Sequence, residues 1–145
     1  MACDLRVAGQ NAEIGFLQGQ LNLTTAWGGG IDLCLAIGIH RALEILASAR
    51  RIPAAEGREL GLINYVCPAD AELDAGLAEF LRPWLQRSPG VLRGFKSITK
   101  ASRLHMHAAL AAVEEREFVS TWVHQDHWDA LEAAQRKRDG GRRGN

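Results

Sequence analysis

At 145 residues the chain is one domain or part of a larger one, and 47% hydrophobic with 23% charged residues is ordinary globular composition. Its 17 basic and 17 acidic residues give zero formal net charge, which excludes a general electrostatic attraction to nucleic acid or a membrane surface. Three widely spaced cysteines, Cys3, Cys34 and Cys67, exclude a disulfide framework and a CxxC zinc site, and no apolar run reaches the ~18 residues of a membrane span.

Residues 4–8 alternate weakly and predict a short strand. Residues 13–16 and 20–23 are further extended candidates, separated by Gly15 and Gly19. Gly28-Gly29-Gly30 then frees the backbone and opens a helix. Ile31, Leu33, Cys34, Leu35, Ile37 and Ile39 are dense enough that this helix is expected to be buried nearly all round. Gly38 divides it from a second helix ending at Ala49. Ile52-Pro53-Ala54 reads as a helix start with Pro53 at the first helical position, and Gly61 as its stop. Leu62–Val66 reads as a strand closed by Pro68. Asp70 is placed to cap a helix running to about Leu85, which Pro83 should kink or end.

Ser88-Pro89 opens another helix, with Val91, Leu92, Phe95 and Ile98 at helical spacing. From Met106 to Arg138 the residues are strong helix formers, with a break expected near His124–His127. The last ten residues hold five cations, Arg136, Lys137, Arg138, Arg142 and Arg143, against Asp139, a local balance of +4. No aromatic residues interleave with them, so a nucleic-acid site is not indicated. The N-terminus has no basic stretch before an apolar run, and with the cysteine pattern this points to a reducing, cytoplasmic setting. The strands are few and short, and their open edges call for a covering partner.

Several residues invite a chemical role. Gln18 sits beside Gly19, where a solvated turn residue is the plain alternative to a pocket-lining one. The helix start at Trp27-Gly28-Gly29-Gly30 can present N–H groups to an anion or carbonyl, although a close-packed strand-to-helix turn explains the same glycines. No Gly-Lys-Ser/Thr follows, so a phosphate loop is rejected. His40 reads as structural. His105 and His107, two apart, diverge on a helix. His124, Asp126, His127 and Asp129 have metal-compatible spacing, but a solvated helix start is the simpler account.

Ordered marks run along nearly the whole chain: Ala2-Cys3-Asp4, Ala12-x-Ile14-Gly15, Gly28-Gly29, Leu33, Gly38-x-x-Arg41-Ala42-x-Glu44-Ile45-Leu46, Arg51-Ile52-x-Ala54-x-Glu56, Gly61-Leu62-Ile63-Asn64-x-Val66, and Pro89 with Lys96. In this order and spacing they resemble the enoyl-CoA hydratase/isomerase (crotonase) family. The resemblance implies an α/β fold, here the back half of a ββα spiral with few short strands, followed by C-terminal oligomerisation helices. It divides the chain into a partial core over 1–67, a helical region over 68–139 and a loose tail at 140–145. It implies an acyl-CoA thioester as substrate, with no further cofactor. Trimers or hexamers of the same chain, or a separate front-half polypeptide, are the implied partners.

The family stabilises a thioester enolate with two backbone N–H donors. Both belong to segments upstream of Ala2, so the resemblance makes this chain incomplete on its own. The family's second catalytic glutamate falls at Gln18, and its arginine before Leu33 falls at Asp32. The usual Gly-x-x-Pro-Gly-x-Gly-Gly becomes Asn22-Leu23-Thr24-Thr25-Ala26-Trp27-Gly28-Gly29. With Thr121-Trp122, that variant looks closer to the ethylmalonyl-CoA decarboxylase-like branch. Leu17, Gln18, Trp27, Gly28 and Gly29 are the implied substrate-binding residues. Phe118, Trp122, Lys137 and Arg138 are candidates for the CoA end, with core packing and solvated charge as the alternative. A non-catalytic assembly or acyl-CoA-binding module is the competing reading.

Overall fold

The computed structural model describes residues 3–68 and 73–142. Four three-residue strands form two small sheets. β1 (Val7–Gly9) runs parallel to β4 (Tyr65–Cys67), with Ala8 opposite Val66. β2 (Glu13–Gly15) runs antiparallel to β3 (Arg51–Pro53), with Ile14 opposite Ile52. The β1–β4 pair continues into the preceding turn. The Arg6 N–H donates to Asn64 Oδ1 at 2.9 Å, and the Asn64 N–H returns to the Arg6 carbonyl at 2.8 Å.

Among the described residues, six α-helices accompany the strands: α1 (Gly29–Ile37), α2 (Ile39–Ser48), α3 (Ala54–Glu59), α4 (Leu73–Leu85), α5 (Pro89–Val123) and α6 (Gln125–Arg142). The core lies among α1, α2 and the β2–β3 pair. Phe16, Leu33, Ala42, Ile45, Ile52 and Leu62 are buried together there, with Ile14, Cys34, Ile37 and Leu46 packed around them. Cys67 is buried, Cys34 half-buried, and all three cysteines are free thiols.

Several expectations shift. Residues 20–23 are not extended: a 3₁₀ turn over Leu17–Leu21 ends at Asn22 in the left-handed region, φ 52°. Close packing on the end of α2 explains the compact turn. A Cβ on Gly19 would stand 3.0 Å from the Leu46 carbonyl oxygen, and the Gln20 amide donates to the Ala49 carbonyl at 2.7 Å. Pro53 closes β3 and stands at the N-cap of α3, so the expected helix begins one residue later, at Ala54. β4 begins at Tyr65 rather than Leu62, because Leu62 and Ile63 turn inward and the Ile63 N–H bonds the Gly57 carbonyl at 2.9 Å.

α1 is not buried all round. Gly30 to Leu33 are covered, but Leu35 is 41% exposed, with none of the described residues closing over that side. α4 continues two residues past Pro83, and its expected cap Asp70 lies outside the described residues. From Pro89 to Val123 the chain is a single 35-residue helix. Ser88 caps it, accepting from the Val91 N–H at 3.3 Å, and Pro89 occupies the first turn. The break at His124 stands as expected, and α6 runs on to Arg142.

One glycine sets how α4 seats on the small sheet. A Cβ on Gly76 would overlap Cys67 Sγ and press on the Cys67 Cβ at 3.1 Å. Gly76→Ala is therefore expected to lower stability by about 2 kcal/mol, since a packed contact between backbone elements cannot yield freely. An unchanged urea midpoint would show that α4 does not seat there.

Candidate functional site

A single face of α5 organises the loop that leads into α1. Arg103, His107, Ala111, Glu114, Phe118 and Thr121 follow one another at three- and four-residue intervals, so they line one side of the helix. Each end of the loop is tied to that face or to α6. The Asn22 amide donates to the Asp126 carbonyl at 3.0 Å. His127, 3% exposed, donates from Nδ1 to the Leu21 carbonyl at 2.8 Å. The Thr24 N–H donates to Thr121 Oγ1 at 3.2 Å.

Glu114 holds the centre. Its carboxylate accepts from Thr25 Oγ1 at 2.9 Å, from the Gly28 N–H at 2.6 Å and from the Gly30 N–H at 2.9 Å. The Gly29 N–H bonds the Ala26 carbonyl at 3.1 Å. The helix start therefore does bind an anion, and the anion is the chain's own side chain. This is the favoured place for a carboxylate, where unsatisfied N–H groups meet the positive end of the helix dipole. The expectation of N–H groups free for a ligand gives way to that occupancy. Gly28 is required twice over: φ is +78°, and a Cβ would overlap the His107 ring.

One turn further along, Asp32 is 8% exposed and held by Arg103 and His107. Arg103 grips it from both nitrogens, Nε to Oδ1 at 2.9 Å and Nη2 to Oδ2 at 2.6 Å, and His107 Nε2 lies 2.8 Å from Oδ1. Burial pushes the Asp32 carboxyl up, but the hydrogen bonds and charges of His107 and Arg103 outweigh it and hold the group below the ordinary aspartate range. Neither Arg103, nor His107 as a partner, nor Glu114 was singled out by sequence. Their even spacing was the only available signal.

Trp27 precedes this helix start with φ 53°, a left-handed conformation that costs a bulky residue about 1–2 kcal/mol. Its ring is 95% exposed and rests on Phe118, centroids 5.8 Å apart. Phe118 continues to Trp122 at 5.6 Å, and Trp122 to His127 at 5.2 Å and Trp128 at 6.3 Å. Beside Trp27 an open, mostly apolar cleft of about 470 Å³ lies between the start of α1 and α5. Ala26, Trp27, Gly28 and Ile31 line one side, and His107, Ala111, Glu114, Glu115, Phe118 and Val119 the other.

The expected site residues thus divide. Trp27, Gly28 and Phe118 meet at the cleft, and Trp122 stands next to Phe118. Gly29 opens α1 alongside it. Leu17 and Gln18 lie on the 3₁₀ turn, with Gln18 exposed, and do not line the cleft. Lys137 and Arg138 are exposed on α6. His124 pairs with Asp126 at 3.4 Å while His127 bonds Leu21, so the two histidines serve different ends.

The Enoyl-CoA hydratase/isomerase family profile matches residues 1–140. The chain belongs to that family. Methylglutaconyl-CoA hydratase of mouse mitochondria is 32% identical over 142 residues, covering 95% of this chain and 45% of that protein. Bovine ethylmalonyl-CoA decarboxylase is 27% identical over 123 residues, covering 83% of this chain and 40% of that protein. Among solved structures, a carnitinyl-CoA dehydratase from Mycobacterium avium 104 superposes with a TM-score of 0.81 at 25% identity, over 94% of this chain and 54% of that one. An enoyl-CoA hydratase from Mycobacterium avium subsp. paratuberculosis K-10 does so at 0.81 and 24%. The α/β architecture with few short strands is that of these crotonase structures. The chain spans less than half the length of the two sequence relatives. Both a hydratase and a decarboxylase stand among them, so overall likeness does not choose a reaction. Among the described residues, no helix is long and apolar enough to cross a membrane.

Proposed function

We propose that this chain is the acyl-group-facing part of an enzyme that stabilises the enolate of an acyl-CoA thioester, and that its reaction is decarboxylation of a malonyl-type CoA rather than hydration. Gln18, exposed on the 3₁₀ turn at the position where the resemblance puts the family's second glutamate, carries this reading. Hydration needs a carboxylate to take a proton from water, and a carboxamide cannot do so near neutral pH. Decarboxylation breaks the bond to the departing carboxylate and leaves its electron pair as an enolate. That step asks for charge stabilisation and a water-poor pocket rather than a second base. The CoA thioester is the substrate, and no other cofactor is invoked.

The resemblance assigns the oxyanion donors to segments upstream of Ala2, and the donors at the start of α1 are engaged by Glu114 and Ala26. On this reading turnover needs those segments together with the residues of this chain. Losing one such donor can cost ~100-fold or more. The chain alone is expected to show no appreciable crotonyl-CoA hydration. With the front-half polypeptide added, ethylmalonyl-CoA should be decarboxylated faster than crotonyl-CoA is hydrated, and Gln18→Glu should raise hydration. Faster hydration in the unmodified pair, or no gain from Gln18→Glu, defeats the proposal.

A second reading, a non-catalytic assembly or acyl-CoA-binding module, is favoured by Val91, Phe95 and Ile98, which expose an apolar row along the start of α5. Acyl-CoA binding without turnover in any mixture with the front half would support it.

A further inference from the structure

We infer that Trp27 sets the acyl size this chain accepts, favouring a short or branched acyl group over a long straight one. The inference rests on the acyl-CoA reading above. Trp27 is an apolar side chain left 95% exposed, in a backbone conformation that disfavours its type. Strain retained at an exposed position points to a role for the presented side chain. The backbone around it is fixed rather than free. Thr25 and Gly28 on its two sides both bond Glu114, and the Gly29 N–H closes the turn onto Ala26. The backbone that carries the indole is therefore anchored on both sides. The indole stands over Phe118 at the edge of the cleft, and the floor below is apolar, from Ile31, Ala111 and Val119.

That geometry gives one wall that is large and flat, carried on an anchored backbone. A short acyl group can lie against the indole and Phe118 with its apolar surface covered. A long chain continuing past the short group must displace Trp27 or leave methylenes in water, and each uncovered methylene forfeits hydrophobic stabilisation. Where the family pattern quoted above has an unspecified residue between glycines, this chain has the bulkiest side chain available.

The test is equilibrium binding of two saturated, unreactive thioesters, butyryl-CoA and decanoyl-CoA, to the full chain and to Trp27→Ala and Trp27→Phe. Because the indole is exposed, both variants should keep the far-UV circular dichroism and melting temperature of the parent. The parent should bind butyryl-CoA more tightly than decanoyl-CoA. Trp27→Ala should move that ratio by at least tenfold toward decanoyl-CoA, and Trp27→Phe by less. Binding that persists with an unchanged ratio overturns the role of Trp27 and leaves the acyl-CoA reading standing. A parent chain that binds neither thioester, alone or mixed with the front-half polypeptide, overturns both.

Discussion

Replacing Glu114 by alanine should destabilise the protein by about 4 kcal/mol, on the argument that three donors lose their only charged acceptor at once. Two of them are the backbone N–H groups of Gly28 and Gly30, at a helix start where the dipole also favours the carboxylate. The third is the Thr25 hydroxyl, on a residue only 8% exposed. Water could reach some of these groups once the side chain is cut back, which keeps the loss below the sum of three separate bonds. Glu114→Gln retains one carbonyl oxygen but brings an NH₂ toward N–H groups that cannot accept, so it should recover less than half of the loss. Urea denaturation of the three proteins decides the matter. A loss under 1 kcal/mol in the alanine variant would mean that the carboxylate is not what holds α1 against α5.

What sequence revealed and what it hid follow from the range of each interaction. Gly38 was legible as a divide because the chain must take φ +81° there, a demand written into one residue. Ser88-Pro89 was legible for the same kind of reason, a cap and a first-turn proline in adjacent positions. β3 was missed because three residues cannot show a period, and Pro53 suits a strand end as well as a helix start. No Gly or Pro interrupts the stretch from Phe95 to Val123, and α5 runs through it unbroken to the expected break at His124. The site was hidden by distance along the chain. Asp32 meets Arg103 71 residues away, and Gly28 meets Glu114 86 residues away. Asp32 was noticed only as a departure from a family arginine, without the cations that explain it. Trp27 and Phe118 were both singled out, but for opposite ends of the substrate. The structure puts them in contact at one cleft.

The buried Asp32 makes the second large prediction, and it depends on pH. Asp32→Ala should cost about 3 kcal/mol near neutral pH, because it removes the buried carboxylate that Arg103 and His107 both hydrogen-bond. Partial exposure of those two side chains, 33% and 28%, lets water relieve some of that penalty, which argues against a larger figure. Asp32→Asn keeps the shape and some hydrogen bonding but no charge, and should cost less. The carboxyl titrates below its ordinary value of 3.8 in the folded chain. The unfolded chain therefore binds its proton first as the pH falls. Asp32 then contributes its full stabilisation above the ordinary value, loses it progressively on acidification, and contributes nothing below the depressed folded value. The stability gap between the parent and Asp32→Asn should accordingly narrow as the pH is lowered from about 5 toward the acid limit of folding, through this group alone. Urea melts of both proteins at matched ionic strength across that range measure the gap. A gap that stays constant, or widens toward acid, would show that Asp32 is not held as a carboxylate between Arg103 and His107.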